Sequence, residues 1–319
     1  MRHTFLKLVC LIFCYFNVSA VFAISYPLPA PNTSLVGQKQ YALTHYGESV
    51  IQMAEQHDVG FNALKNANPH LNLNRRFLAD EIVQIPTQHL LPDTSQKGII
   101  INLPEMRLYY FAPDTHQLFT FPIGIGKIGN TIPLVKTVVT RKTEHPFWIP
   151  PKSIRDYNLN EFGIELPTVM PAGPDNPLGP YAIYMRLPTY LIHSTIYPES
   201  VGKRASFGCI RMFESDIKEL YPLMKKGIPV FIIDMPLKFG WQEDRLYMEK
   251  YPSLSERKQN NATHLSQVIH QIVLKTQHQA TLVDWQGVSY IAAENDGMPH
   301  EIGKLIPTKQ NAQNWQFIK

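Results

Sequence analysis

Proline sets the first limit on how this chain can fold. Twenty-six of the 319 residues are proline, about 8% against a norm near 5%. They are scattered, so a helix soon meets a residue that lacks a backbone donor and clashes with the preceding turn. A helical bundle is therefore not expected. Between the prolines lie short runs rich in branched and aromatic side chains, at residues 98–103, 106–111, 119–125, 133–141, 181–187, 190–193 and 228–233. This rhythm predicts an α+β chain in which residues 97–235 form a mostly antiparallel β-sandwich or half-barrel. One helix is expected after residue 209, because Ile217, Leu220, Tyr221 and Met224 recur at i, i+3, i+4 and i+7. Pro222 should kink it and Gly227 should end it.

The composition is that of an ordinary folded protein, 44% apolar and 18% charged. A net charge of +4 is too small to make a nucleic-acid-binding face, and no nucleic-acid partner is expected. Arg2 and Lys7 precede an apolar run over residues 8–16, and small residues follow at Ala20 and Ala23. Residues 1–23 therefore read as a secretory signal peptide, cleaved after Ala23 or Ala20. The run is broken by Asn17 and Ser19 and falls short of the roughly 20 residues a membrane span needs. Cys10 and Cys14 leave with that segment, so Cys209 is the lone thiol of the exported protein and no internal disulfide can form. In an oxidising compartment such a thiol is either buried or chemically used.

Residues 24–39 carry Pro27, Pro29, Pro31 and Gly37 and read as an extended arm. Residues 40–87 read as strand, helix, helix, strand: a strand at 41–43, a helix set by Val50, Met53 and Ala54, a helix at 61–66, and a closing strand at 82–86. That order, with Leu64 and Asn68 near the second helix, resembles a LysM module, which implies binding to N-acetylglucosamine-containing glycan. Residues 236–319 form an α/β extension of open role. Leu265, Val268, Ile269, Ile272 and Val273 make a helical stripe there, and residues 281–283 and 288–292 flank Gln286-Gly287 as a hairpin.

The chemistry concentrates in Leu191-Ile192-His193-Ser194-Thr195 and Ser206-Phe207-Gly208-Cys209-Ile210-Arg211-Met212. In a β-rich domain His193 and Cys209 can meet at the ends of adjacent strands, with Gly202 and Gly208 easing the loop between them. A free thiol is only about 3% thiolate at pH 7, and an adjacent imidazolium lowers its pKa. The pair is thus a nucleophile with its base. The Ser194 carbonyl is a candidate to orient His193, backbone N–H groups around Gly208 and Cys209 are candidates for an oxyanion hole, and Arg211 is suited to a substrate carboxylate.

These residues resemble the L,D-transpeptidase family with its YkuD catalytic domain, whose motif is a His, a loop, and then Ser-His-Gly-Cys, an apolar residue, and Arg or Asn. Residues 106–110, 122–126 and the run Met170-Pro171-Ala172-Gly173-Pro174-Asp175-Asn176-Pro177-Leu178-Gly179 look like the same family. The resemblance implies a YkuD-type fold, with Cys209, His193, Ser194 and Gly208 as catalytic positions and Arg211 and Ser206 as substrate-binding ones. It also implies a periplasmic enzyme that needs no cofactor, acting on a peptidoglycan tetrapeptide stem through a thioester. The acceptor amine would belong to another stem or to an outer-membrane lipoprotein. One position departs: Phe207 stands where the family has His, so a hydrogen bond or charge from that side chain is missing. A non-catalytic peptidoglycan-binding protein is the alternative, which the intact His193, Gly208, Cys209 and Arg211 weigh against.

Other signals are weaker. The histidines form no His-Glu-x-x-His and the mature chain has no paired cysteines, so no metal site is expected. Gly124-Ile125-Gly126-Lys127-Ile128-Gly129 mimics a dinucleotide fingerprint but lacks a following helix and reads as a strand-end turn. Trp148 and Tyr157 are candidates for a substrate groove or for core packing.

Overall fold

The computed structural model describes residues 25–30, 33–256 and 265–307; the expected signal peptide, residues 1–23, lies outside the described residues. The strand-rich centre is a nine-stranded mixed sheet. Its order, edge to edge, is Ser25–Pro27, Gln117–Pro122, Arg107–Ala112, Gly98–Asn102, Pro229–Ile233, Val135–Glu144, Tyr181–Met185, Leu191–His193 and Ile210–Arg211. Most neighbours are antiparallel, but Gly98–Asn102 with Pro229–Ile233, and Leu191–His193 with Ile210–Arg211, are parallel pairs. The run of three isoleucines at 99–101 explains the central strand, which is buried on both faces as interior strands of mixed sheets are. Ile99 and Ile101 enter the main core with Ile217 and Leu220 of the helix Glu214–Leu223 and with Met224 just past its end. Ile100 joins Tyr109, Phe111 and Leu118 on the other face.

That helix ends four residues before Gly227. Pro222 sits in its last turn and Met224 is already extended, at φ −79° and ψ 127°. Gly227, at φ +94°, instead makes the turn into Pro229–Ile233, its N–H bonding the Val139 carbonyl at 2.8 Å. The expected arm at 24–39 is partly stranded: Ser25–Pro27 borders the large sheet and Leu35–Val36 pairs with His89–Leu90.

In the amino-terminal module, strands Gln40–Leu43 and Ile82–Ile85 pair antiparallel around helices Val50–Gln56 and Phe61–Ala67. Ser49 and Gln52 form a reciprocal capping box at the first helix. Asn68 closes the second turn, its Nδ2 donating to the carbonyls of Leu64 and Gln84, both at 2.8 Å. The module's core is completed by Val201 and Phe213 of the central domain. Phe61 and Asn62 donate their N–H groups to the carbonyls of Val201 and Gly202, so the module is built onto the chain that leads to Cys209.

Beyond residue 236, strands Leu237–Gln242, Arg245–Lys250, His300–Leu305 and Thr281–Val283 form a second sheet in that order. The helix Leu265–Thr276 packs Val268 and Ile272 onto it. The hairpin expected around Gln286-Gly287 is instead a helix, Trp285–Glu294. Asp284 caps it by accepting from the Gly287 N–H at 3.0 Å, so the glycine that suggested a turn lies in a first helical turn.

A buried charge cluster fastens this second sheet to the rest. Lys238 Nζ lies 2.9 Å from Glu105 Oε1, 3.1 Å from Glu249 Oε2 and 2.6 Å from the Leu90 carbonyl. Tyr109 donates to Glu105 and Tyr251 to Glu249. His89, Glu105 and Glu249 bring possible metal-ligand atoms within 4.8 Å of one another, a constellation absent from the sequence reading because its members lie far apart in the chain. The Lys238 ammonium already occupies the cation position between the two carboxylates.

Candidate active site

Strand register assembles the site. Ile183, Ile192 and Ile210 align across three strands and face the main core. Side chains alternate between faces along a strand, so the neighbouring rows face the opposite way. One such row is Ala182, His193 and Arg211, and the other runs Arg141, Tyr184 and Leu191. Cys209 directly precedes Ile210 and falls on that same side. His193, Cys209 and Arg211 all line one cavity of about 740 Å³, to which Trp148, Met170, Asp175 and Leu178 also contribute. Among the described residues Cys209 is the free cysteine, partly buried.

His193 is buried and oriented by the backbone. Its Nδ1 lies 2.5 Å from the Ser194 carbonyl, so Nδ1 carries the proton and Nε2 is left as the acceptor. Ser194 is itself pinned: its hydroxyl donates to the Leu178 carbonyl at 2.9 Å and accepts from the Tyr181 N–H at 3.0 Å. Leu178 belongs to the Pro-Gly run, which Asn176 ties down through the carbonyls of Pro146 and Pro171. Gly179, at φ +60°, leaves no room for a side chain, since a Cβ there would lie 2.5 Å from Ser194 Oγ. The Pro-Gly run thus supports His193 through Ser194, a role that sequence alone does not assign to Asn176 or Leu178.

The Cys209 thiol donates to the Thr189 carbonyl at 3.6 Å, and the electrostatics leave both His193 and Cys209 neutral. Burial, and then the Arg211 charge, lower the His193 pKa to about 4 despite the carbonyls that favour its charged form. Burial also pushes the Cys209 thiol above its usual value, opposed by the Leu191 backbone and by Arg211. The sequence reading invoked an imidazolium that lowers the thiol pKa; in this fold the imidazole is too desolvated to be one near pH 7.

The loop that carries Cys209 is tied by Ser206. Its hydroxyl donates to the Cys209 carbonyl at 2.6 Å and accepts from the Gly208 N–H at 3.0 Å. Ser206, proposed as substrate-binding, therefore spends its hydroxyl on the loop, and the Gly208 N–H, proposed for an oxyanion hole, is engaged by it. Gly208 itself is required: at φ +117° a Cβ would lie 2.6 Å from the Tyr190 ring. Phe207 packs edge-on against Tyr157, with ring centroids 5.1 Å apart. Lys127 Nζ lies 3.9 Å from the Phe207 ring centre and 3.7 Å from that of Tyr157. Position 207 thereby docks the helix Lys152–Phe162, which has no fully buried residue of its own, beside the Cys209 loop. Tyr157 is a docking residue, whereas Trp148 lines the cavity.

Arg211 stands out by what it lacks. Its Nε is buried without a hydrogen-bond partner, and among the described residues no carboxylate pairs with it. Burial lowers its pKa. The guanidinium carbon lies 5.7 Å from the Tyr197 ring centre. An unpaired cation half-buried beside a thiol is suited to an anionic ligand.

The YkuD L,D-transpeptidase catalytic domain profile matches residues 96–232, which contain the whole of this site. The chain is 40% identical over 244 residues to the probable L,D-transpeptidase ErfK/SrfK of Escherichia coli (strain K12), covering 75% of this chain and 77% of that protein. It is 34% identical over 288 residues to the probable L,D-transpeptidase YcfS of the same strain, covering 88% of each. Among solved structures, the catalytic domain of the E. faecium L,D-transpeptidase overlaps 44% of this chain and 100% of its own, with 22% identity and a TM-score of 0.34. The two Escherichia coli relatives, 40% and 34% identical and matched over three quarters or more of each chain, leave one assignment: the chain belongs to the L,D-transpeptidase family.

Proposed function

We propose that this protein is a peptidoglycan L,D-transpeptidase in which Cys209 is the nucleophile and His193 the base. The reading is carried by one observation, the parallel pairing that sets thiol, imidazole and Arg211 on one face of the sheet at one cavity. Cys209 attacks the carbonyl between diaminopimelate and the terminal D-Ala of a tetrapeptide stem. The thiol proton passes to His193 Nε2 and then to the departing D-Ala amine, leaving a thioester. An acceptor amine attacks that thioester, gives its proton to Nε2, and the thiol is restored. The chemistry needs no cofactor.

A half-buried thiol whose pKa is raised and a base with a pKa of about 4 form almost no resting ion pair, so proton transfer accompanies carbon–sulfur bond formation. A donor carboxylate on Arg211 cancels the charge that helps to depress His193, and so strengthens the base when substrate is present. The Gly208 N–H being engaged, the Cys209 N–H is the remaining local donor for the developing oxyanion. The acceptor is another stem, giving a 3-3 crosslink, or the terminal lysine of an outer-membrane lipoprotein. Residues 40–87 belong to this reading as a LysM-like glycan holder, and residues 1–23 as the signal that sends the chain to the periplasm. Among the described residues no helix is long and apolar enough to cross a membrane.

Incubation of the mature protein with a purified disaccharide-tetrapeptide tests the proposal by mass. Loss of one D-Ala per muropeptide is the expected result; an unchanged muropeptide mass with retained binding would establish the non-catalytic alternative.

A further inference from the structure

The active cavity holds a second arginine that the chemistry above does not use. Arg141 lies on the face that carries His193 and Cys209, in the row Arg141, Tyr184, Leu191. Cys209 extends this row by one strand, placing the two Cα positions about three strand spacings, or roughly 14 Å, apart. The Arg141 guanidinium sits over the Tyr184 ring, its Cζ 3.3 Å from the ring centre, and Nη1 donates to Thr143 Oγ1 at 3.0 Å. Among the described residues no carboxylate pairs with it, and its other N–H donors have no protein acceptor. The charged lining of the cavity is then Arg211, Arg141 and Asp175, a net positive wall with its two cations at separate depths.

An exposed arginine ordinarily wanders, and holding it costs side-chain entropy. Here an aromatic face and a hydroxyl hold the guanidinium in place with donors to spare, the arrangement that recognises a planar anion. An extended peptide advances about 3.5 Å per residue. Allowing for the length of the arginine, a carboxylate roughly 7–10 Å before the reacting carbonyl meets it. We propose that Arg141 is a specificity-determining residue that binds a carboxylate of the donor peptide upstream of the reacting carbonyl, distinct from the group held by Arg211. The inference rests on the transpeptidase reading. In a γ-linked stem the upstream carboxylate is the free α-carboxylate of the glutamate that precedes diaminopimelate.

The test compares L-Ala-γ-D-Glu-diaminopimelate-D-Ala with the same peptide carrying a primary amide in place of that glutamate carboxylate. D-Ala release is measured for the wild type, Arg141→Ala and Arg141→Lys. The wild type should prefer the acid by about tenfold in kcat/KM, through KM, as expected for a charge-assisted bond at a partly wet site. Arg141→Ala should show no preference and Arg141→Lys an intermediate one. Equal use of acid and amide by the wild type, or an equal loss on both peptides in Arg141→Ala, would overturn the assignment while leaving the transpeptidase reading intact. Release from neither peptide would remove that reading and this inference with it.

Discussion

Two buried histidines, each near a cation, sit in two regions that behave in opposite ways. At the junction with the second sheet, His89 lies 3.8 Å from both Glu105 and Glu249, and Lys238 is bound to both carboxylates. The two carboxylates there share Lys238 and accept from Tyr109 and Tyr251, while His89 is kept neutral by burial and has no hydrogen-bond partner at either ring nitrogen. In the active cavity, His193 and Cys209 are neutral and Arg211 has no carboxylate partner. The first arrangement holds three segments of chain together; the second leaves a cation unpaired where a ligand can reach it. The contrast teaches that satisfaction of charge, more than burial of charge, separates structural clusters from functional ones in this molecule.

Exchanging the outcomes of matched substitutions would break this contrast. The largest effects should come from the reacting pair: Cys209→Ala and His193→Ala should each lower D-Ala release at least 10³-fold, on the order expected for loss of a nucleophile or its base. Their thermal unfolding should remain cooperative. Next come the cations. Lys238→Met strands two buried carboxylates and should cost about 3–5 kcal/mol, seen as a fall in Tm of roughly 10 °C. Arg211→Met should leave Tm within about 2 °C while raising the KM for the donor, because no internal partner is lost.

The pH dependence sharpens the same point. A His193 pKa near 4 means the base is neutral at pH 7 and is lost only as pH falls through about 4. The acid limb of kcat/KM for acylation should therefore lie near pH 4 rather than near 6.5. Arg211→Met should move that limb upward, since Arg211 is the second cause of the depression. Stability follows with its own sign: the unfolded chain protonates His193 near pH 6.5 and the folded chain does not. Stability should thus decline as pH is lowered from about 6.5 toward 4 in melts followed by circular dichroism. The smallest effect is expected at position 207. Phe207→His should raise acylation by less than about tenfold, since one hydrogen bond to a charged group is worth about 1.5–3 kcal/mol and part of it is offset by a loosened Tyr157 contact.

How much of this was readable beforehand depends on how local each signal was. The strands around the centre were legible from short branched runs, and the module at 40–87 from a capping residue and helical spacing within a few positions of each other. His193, Gly208, Cys209 and Arg211 were legible as candidates because two short segments carry them. The helix Lys152–Phe162 was not, since it buries no apolar stripe. Its available signals were Pro151 at the start and Gly163, at φ +67°, just past the end. Trp285–Glu294 was misread because Gln286-Gly287 signals a turn as well as a first helical turn, and only the Asp284 cap decides between them. The Lys238 cluster was out of reach: residues 89, 105, 238 and 249 meet only once three sheets have packed. Neutrality of His193 was likewise invisible, because desolvation is a property of the whole fold.

The central claim is that an unpaired cation and a neutral thiol–imidazole pair make Cys209 the acyl-accepting group. Intact-mass measurement of the wild type, quenched in acid during turnover of the disaccharide-tetrapeptide, tests it most directly. A covalent adduct equal to the donor less D-Ala, mapped by peptide sequencing to Cys209 and absent from Cys209→Ala, is the predicted result. Turnover without a Cys209 adduct, with Cys209→Ala as active as the wild type, would contradict the account.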